Sequence, residues 1–164
     1  MKKYKIGMYG GKFMPFHKGH SYCISFAAEE CEKLYVILFY GSKDEEDILN
    51  NNKEDYLSVE DRKKRINKII KNYNNVEFVL IDVSNLRTAD GSEDWDGETP
   101  LVRKVLGNKL DAVYSSELSY DPYFKRAYPE AVHRIIDYKR IKYPISGTKI
   151  RNMKNVKERE KWII

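Results

Sequence analysis

The chain has 164 residues, 34% of them charged and 41% hydrophobic, with a formal net charge of +5 and a sequence pI near 9.0. That length suits one domain spanning 1–164, because halves of it would be too small to build good cores. No apolar run approaches a bilayer-spanning length, and the N-terminus "MKKYKIGMYGG" lacks a signal-peptide core, so a cytoplasmic protein without membrane contact is expected.

In chain order, "YKIGMYG" (4–10) predicts a short buried strand ending at a glycine turn. Residues 19–32 place Cys23, Ile24, Ala27, Ala28 and Cys31 on one helical face. If Cys23 and Cys31 share that helix, roughly 12 Å separates them, too far for a disulfide. Reduced thiols are then expected, which fits the cytoplasm. "KLYVILFYG" (33–41) has the continuous apolar character of a strand covered on both faces. The polar connection 42–57 follows and is expected to be partly disordered. "SVEDRKKRINKIIKNY" (58–73) opens with Ser58 and Asp61 in capping-box spacing and continues as an amphipathic helix. Arg62 falls on its apolar stripe, where a charge is costly unless it is paired or reaches a site; a snorkelling side chain is the other reading.

"VEFVLIDV" (76–83) is the third predicted strand, followed by a second long polar connection over 84–98. Loops of that length are more often functional or mobile than mere connectors. Trp95 lies in it, in "GSEDWDGE", where no core periodicity accounts for an indole. A short helix including Leu101 to Leu106 ends at Gly107, and "DAVYSSE" (111–117) is a fourth strand. "DPYFKRAY" starts a helix with Asp121 as cap and Pro122 in its first turn. "VHRIIDY" (132–138) is the fifth strand, and a helix follows from Gly147. Alternating strands and helices predict an α/β sheet with parallel strands and ligands at their carboxyl ends.

Charge is unevenly placed. From Tyr138 to Lys157 the chain carries Lys139, Arg140, Lys142, Lys149, Arg151, Lys154 and Lys157 without an acidic residue, whereas 44–61 is rich in acid. A local positive segment suits a small polyanion better than a long nucleic-acid track. Neither the aromatic pattern of an RNA-recognition motif nor a clear basic reading helix is present, so no nucleic-acid partner is expected.

"GGKFMPFHKGHSYCI" (10–24) is the densest chemical signal. Gly10 and Gly11 permit a tight turn and close approach of a ligand to backbone. His17 and His20 sit within about one turn of each other at a helix N-terminus, which attracts anions. Imidazoles there can donate hydrogen bonds to phosphate and gain charge as it approaches. A zinc site from His17, His20 and Cys23 lacks an evident fourth ligand and leaves the glycines unexplained. Neither the dinucleotide fingerprint nor the P-loop pattern is present. Far along the chain, "YPISGTKIR" (143–151) offers a second phosphate-ready helix start, with Ser146 as cap and Thr148, Lys149 and Arg151 in the first turn. No Ser-His-Asp or Cys-His arrangement can be argued from the sequence.

G-x-F-x-P-x-H-x-G-H over 11–20, followed by I-S-x-T-x-I-R over 145–151, resembles the nucleotidyltransferase superfamily with a histidine-glycine-histidine signature. Within it, "GKFMPFHKGH" is most similar to nicotinamide mononucleotide adenylyltransferases of the short archaeal type and of the bifunctional bacterial regulator of NAD synthesis. Pantetheine-phosphate adenylyltransferases and cytidylyltransferases are near in length. They typically carry an acidic residue where this chain has Met14, and the pantetheine-phosphate enzymes usually have threonine in place of His17.

The resemblance implies a Rossmann-like nucleotidyltransferase fold, with a five-stranded, mostly parallel sheet flanked by helices. It implies transfer of AMP from ATP to nicotinamide mononucleotide, giving NAD and pyrophosphate, with Mg²⁺ accompanying ATP and no dedicated metal site. It assigns His17, His20 and Arg151 to catalysis, and Gly10, Gly11, Lys12, Phe13, His17, His20, Ser146, Thr148 and Arg151 to ATP. Trp95 would stack on the acceptor's pyridine ring and Asp137 would lie nearby; Arg62, from its place on the apolar stripe, is a separate candidate for the acceptor. The expected partners are ATP and a phosphorylated acceptor, with like chains in a homo-oligomer.

Overall fold

The computed structural model describes residues 1–88, 90 and 93–164. Its strands are β1 (Tyr4–Gly11), β2 (Cys31–Tyr40), β3 (Val76–Asp82), β4 (Ala112–Ser115) and β5 (Val132–Ile135). Its helices are α1 (Lys18–Glu30), α2 (Lys43–Asn51), α3 (Val59–Ile70), α4 (Trp95–Leu106), α5 (Asp121–Ala127), α6 (Gly147–Asn152) and α7 (Val156–Glu160). Among the described residues the strands form one sheet in the order β3-β2-β1-β4-β5. Every pairing is parallel, rather than mostly so. The strand order reverses at β1, so the crevice beside the ends of β1 and β4 is the topological switch point.

Helices cover both faces, which is why β2 reads as an unbroken apolar run. Val36 and Leu38 point to one face, with Ile24 and Ala27 of α1 and Ile66 and Ile70 of α3. Ile37 points to the other, with Val102 and Leu106 of α4 and Tyr123 of α5. Cys31 is the first residue of β2 and not part of α1, and both cysteines are buried and free.

Two expectations are corrected. The connection 42–57 is mostly helix: Ser42 caps α2 by accepting from the Glu45 N–H at 3.1 Å, and three acidic residues in the first turn suit the helix dipole. Trp95 is the first residue of α4, capped by Asp94, rather than a loop residue. Positions 89, 91 and 92 of the 84–98 connection lie outside the described residues. Among the described residues no helix is long and apolar enough to cross a membrane.

Candidate active site

The end of β1 turns sharply at Phe13, which has φ of 54°, and the chain enters α1 with His17 as N-cap. His17 Nδ1 accepts from the Gly19 N–H at 3.1 Å, and His20 Nδ1 accepts from the His17 N–H at 3.2 Å. In each neutral ring the proton therefore sits on Nε2, leaving that N–H as a donor. The two rings stack with centroids 3.7 Å apart, and Phe13 meets His20 edge-on at 4.8 Å.

Burial, with the Arg140 charge adding to it, lowers the His17 pKa to about 3. His20 is held well below the ordinary range by burial, then by His17 and Arg140. Burial thus makes both histidines neutral Nε2–H donors. His17 is 1% exposed and is covered by the C-terminal residues: it bridges Ile163, and the Lys18 N–H donates to the Trp162 carbonyl at 2.9 Å.

A cavity of about 300 Å³ opens at the switch point. Gly10, Gly11, Lys12, Phe13 and His20 form one wall, and Trp95, Glu98, Tyr120, Ser115 and Arg140 contribute to the others. Burial opposes charge on Lys12, but Asp44, 2.7 Å away, and Glu93 outweigh it and raise the ammonium pKa. Glu93 also accepts the Trp95 indole N–H. Trp95 meets Tyr120 edge-on at 4.8 Å, and its carbonyl accepts from the Tyr123 hydroxyl at 2.8 Å.

His17, Ser146, Thr148 and Arg151 do not line this cavity. The last three belong to α6 and its cap, which dock on the turn between β1 and α1. Ser146 caps α6 by accepting from the Lys149 N–H at 3.2 Å, and Arg151 Nη1 donates to the Met14 carbonyl at 2.6 Å. The approach is close enough that a Cβ on Gly147 would lie 2.8 Å from that same carbonyl oxygen. The β1–α1 turn and α6 are therefore one unit.

Two predicted acceptor residues are elsewhere. Arg62 is fully buried and absent from the cavity wall. Its Nη1 donates to the Lys12 carbonyl at 2.9 Å, its Nε to the Ser58 carbonyl at 3.3 Å, and its Nη2 pairs with buried Glu45. Glu45 in turn accepts from the Gly41 N–H. The charge is paired, which answers the question its apolar position raised. Asp137 also stays out of the cavity wall and binds its own loop, accepting from the N–H groups of Ile141, Lys142 and Tyr143 at 2.8–3.2 Å. Partial desolvation raises its pKa, but those backbone donors outweigh it and the net shift is downward.

That loop presents Arg140, which sequence reading placed in the basic segment without a role. Its φ is 54°, its Nη2 donates to Glu117 at 2.9 Å, and both side chains line the cavity. Its charge adds to the burial that depresses both histidines. The only advance signal was its place in the acid-free segment. Among the described residues no group of three or more His, Cys, Asp or Glu could hold a metal ion, zinc included.

Glu98, first through burial and then through Glu93, has its pKa raised from 4.5 to about 7. The folded state then binds a proton that the unfolded state releases across that interval, so stability falls as pH rises from about 4.5 to about 7. Glu98→Gln is expected to flatten this part of the stability profile, which can reach about 3 kcal/mol, in urea titrations at stepped pH. An unchanged slope contradicts the assignment.

The family model described as cytidylyltransferase-like matches residues 8–153. Among curated proteins the chain is similar to the phosphopantetheine adenylyltransferase of Mycoplasma mycoides subsp. mycoides, at 31% identity over 156 residues, covering 94% of this chain and 99% of that protein. The Clostridium perfringens protein of the same name is 29% identical over 125 residues, covering 67% of this chain and 70% of that one. Among solved structures, NadR in complex with NAD and AMP-PNP aligns with TM-score 0.67 and 21% identity, over 99% of this chain and 46% of that chain. A bifunctional NMN adenylyltransferase/ADP ribose pyrophosphatase from Francisella tularensis aligns with TM-score 0.62 and 20% identity, over 90% of this chain and 41% of that one. The chain spans less than half of either structure, and at such identities the likeness concerns the fold.

Proposed function

The chain belongs to the cytidylyltransferase-like family, and from that membership and the geometry of its site we propose that it is an adenylyltransferase, moving AMP from ATP to a phosphorylated acceptor. The observation that carries this reading is the stacked, neutral His17–His20 pair at the start of α1, with His20 in the cavity wall and Arg140 nearby. In this reading an acceptor phosphate oxygen attacks the α-phosphorus of ATP, the bond from that phosphorus to its β-bridging oxygen breaks, and pyrophosphate leaves. A phosphate monoester is already largely dianionic near neutrality, with its second pKa about 6, so the reaction needs no protein nucleophile and little help from a base. What it needs is alignment and donors aimed at the charge that develops on the phosphate oxygens.

His20 Nε2–H and Arg140 meet the α-phosphate region, while Lys12 and the α6 start, with Ser146, Thr148 and Arg151, take the outer phosphates. Lys12 exchanges its carboxylate partners for phosphate as ATP enters. Mg²⁺ comes as part of the substrate complex on the triphosphate oxygens, where its charge offsets theirs.

Two acceptors draw on different observations. The names of the curated relatives favour phosphopantetheine over the nicotinamide mononucleotide expected from sequence, and the Mycoplasma protein matches along nearly its whole length. The cavity favours a flat, cationic ring: Trp95 and Tyr120 form an aromatic corner with Glu93 and Glu98 beside it. An indole face attracts a pyridinium, and the Glu93 side chain adds to that attraction, Glu98 only as it ionises near pH 7. His17 and Met14, where the pantetheine-phosphate pattern differs, point the same way. We take a pyridine mononucleotide as the acceptor that the geometry supports best.

Trp95→Ala tests it. Lost stacking of roughly 0.5–2 kcal/mol should raise the KM for nicotinamide mononucleotide about two- to thirtyfold and leave the KM for ATP nearly unchanged, read as pyrophosphate release. Equal losses for both substrates make Trp95 structural. Wild-type transfer to phosphopantetheine but to neither pyridine mononucleotide establishes the second reading.

A further inference from the structure

Ser115, at the end of β4, lines the cavity and is 6% exposed. Its Oγ lies 2.6 Å from His133 Nε2, and His133 Nδ1 lies 3.0 Å from Asp121 Oδ1. The chain of contacts follows from the sheet: Val113 pairs with His133 in the β4–β5 register, so Ser115 and His133 share the face covered by α5. Phe124, also in the cavity wall, fixes the imidazole edge-on at 4.8 Å. Asp121 also meets the exposed Lys125 at 2.8 Å, a surface pair of little weight in holding it. The adenylyl-transfer reading uses none of these groups.

Hydrogen-bond accounting fixes the polarity of the row. An ionised Asp121 can only accept, so a His133 ring holding one proton carries it on Nδ1 and its Nε2 is bare. Ser115 must then donate its hydroxyl proton to Nε2. The Glu117 carbonyl, 3.3 Å from Oγ, competes poorly with the 2.6 Å contact. The Glu117 N–H donates to Oγ at 3.3 Å and occupies one lone pair. In that arrangement Ser115, a residue of the cavity wall, has a lone pair left to accept with and no proton left to donate. The row is also unsuited to nucleophilic attack, because the Glu117 N–H is directed at Oγ itself rather than at a site for a developing oxyanion.

We propose that Ser115, oriented through His133 by Asp121, selects acceptors that present an amide N–H to this wall over those that present a carboxylate. The inference rests on the pyridine mononucleotide reading above. A ring carboxamide gives its N–H to Ser115, whereas a carboxylate brings a second acceptor against the first and leaves both unpaired, a mismatch that specific sites reject strongly. Ser115 is the contact; His133 and Asp121 are positioning residues.

The test compares nicotinamide mononucleotide and nicotinate mononucleotide, by equilibrium binding and by kcat/KM, in wild type, Ser115→Ala and Asp121→Asn. Lys125→Ala serves as the control for a disturbed α5. An asparagine amide can donate to Nδ1, which moves the ring proton to Nε2 and frees the Ser115 hydroxyl to donate into the cavity. Wild type should prefer the amide at least tenfold. Asp121→Asn should reverse or abolish that preference, Ser115→Ala should abolish it, and Lys125→Ala should keep it, with the KM for ATP unchanged throughout. Nitrogen NMR of the His133 ring should show the Nδ1–H tautomer in wild type and a shift away from it in Asp121→Asn.

An Nε2–H tautomer in wild type overturns the proposal, as do equal losses for both mononucleotides in Asp121→Asn or the binding of neither. Transfer to phosphopantetheine without binding of either pyridine mononucleotide overturns the selection and the acceptor reading together, leaving adenylyl transfer intact. The predicted binding preference without pyrophosphate formation supports the selection and removes the adenylyltransferase reading instead.

Discussion

His20→Ala is expected to lower kcat by about 10² or more, the scale set by losing one donor to developing charge, with ATP binding largely retained. Three features place His20 apart from the other candidates. It alone of the two signature histidines reaches the cavity wall. Its Nδ1 is committed to the His17 backbone N–H, so its Nε2–H remains for a ligand. Burial keeps the ring neutral, so little reorganisation is needed when phosphate charge shifts. His20→Asn should recover part of the loss, because a side-chain amide can still donate. In the free enzyme, kcat/KM should show no histidine ionisation from His17 or His20 between about pH 5 and 8. Steady-state kinetics with ATP binding measured separately checks this, and near-wild-type turnover in His20→Ala contradicts the role.

Arg62 carries the second large effect, on the fold as well as the site. Arg62→Ala leaves Glu45 buried without its cation, a change that typically costs 3–5 kcal/mol. It also frees the Lys12 carbonyl, which Arg62 Nη1 holds at 2.9 Å. Stability and function separate in the double variant Arg62→Met with Glu45→Met, where no charge is left unpaired. That variant should regain most of the thermal stability, yet show a higher KM for ATP, because the Lys12 backbone is no longer anchored. A single variant that melts like wild type, or a double variant with wild-type ATP kinetics, removes Arg62 from this account.

Much of the fold was legible because its signals were local. The apolar run of β2, the caps at Ser58 and Ser146 and the proline after Asp121 each report on a few neighbouring residues. The helix starts at His17 and Ser146 were legible as well, since N-caps have their own residue grammar. What escaped were the groups whose roles depend on distant partners. Residues 44–47 look like a solvated charge run, yet Glu45 anchors α2 by pairing with Arg62, seventeen positions away. Arg62 in turn looks like a misplaced charge until that pair is formed. Asp137 was legible as polar but not as the acceptor that folds its own turn and presents Arg140. The Ser115–His133–Asp121 row exists only because β4 and β5 are neighbours, a relation that no sequence spacing states.

The central claim, adenylyl transfer at the His20 wall, is tested most directly by supplying ATP labelled at its α-phosphate, Mg²⁺ and a panel of phosphorylated acceptors including nicotinamide mononucleotide and phosphopantetheine. The account predicts label in the adenylylated acceptor, with equimolar pyrophosphate released, and loss of both signals in His20→Ala. Pyrophosphate absent with every acceptor, or orthophosphate formed in its place, would contradict it.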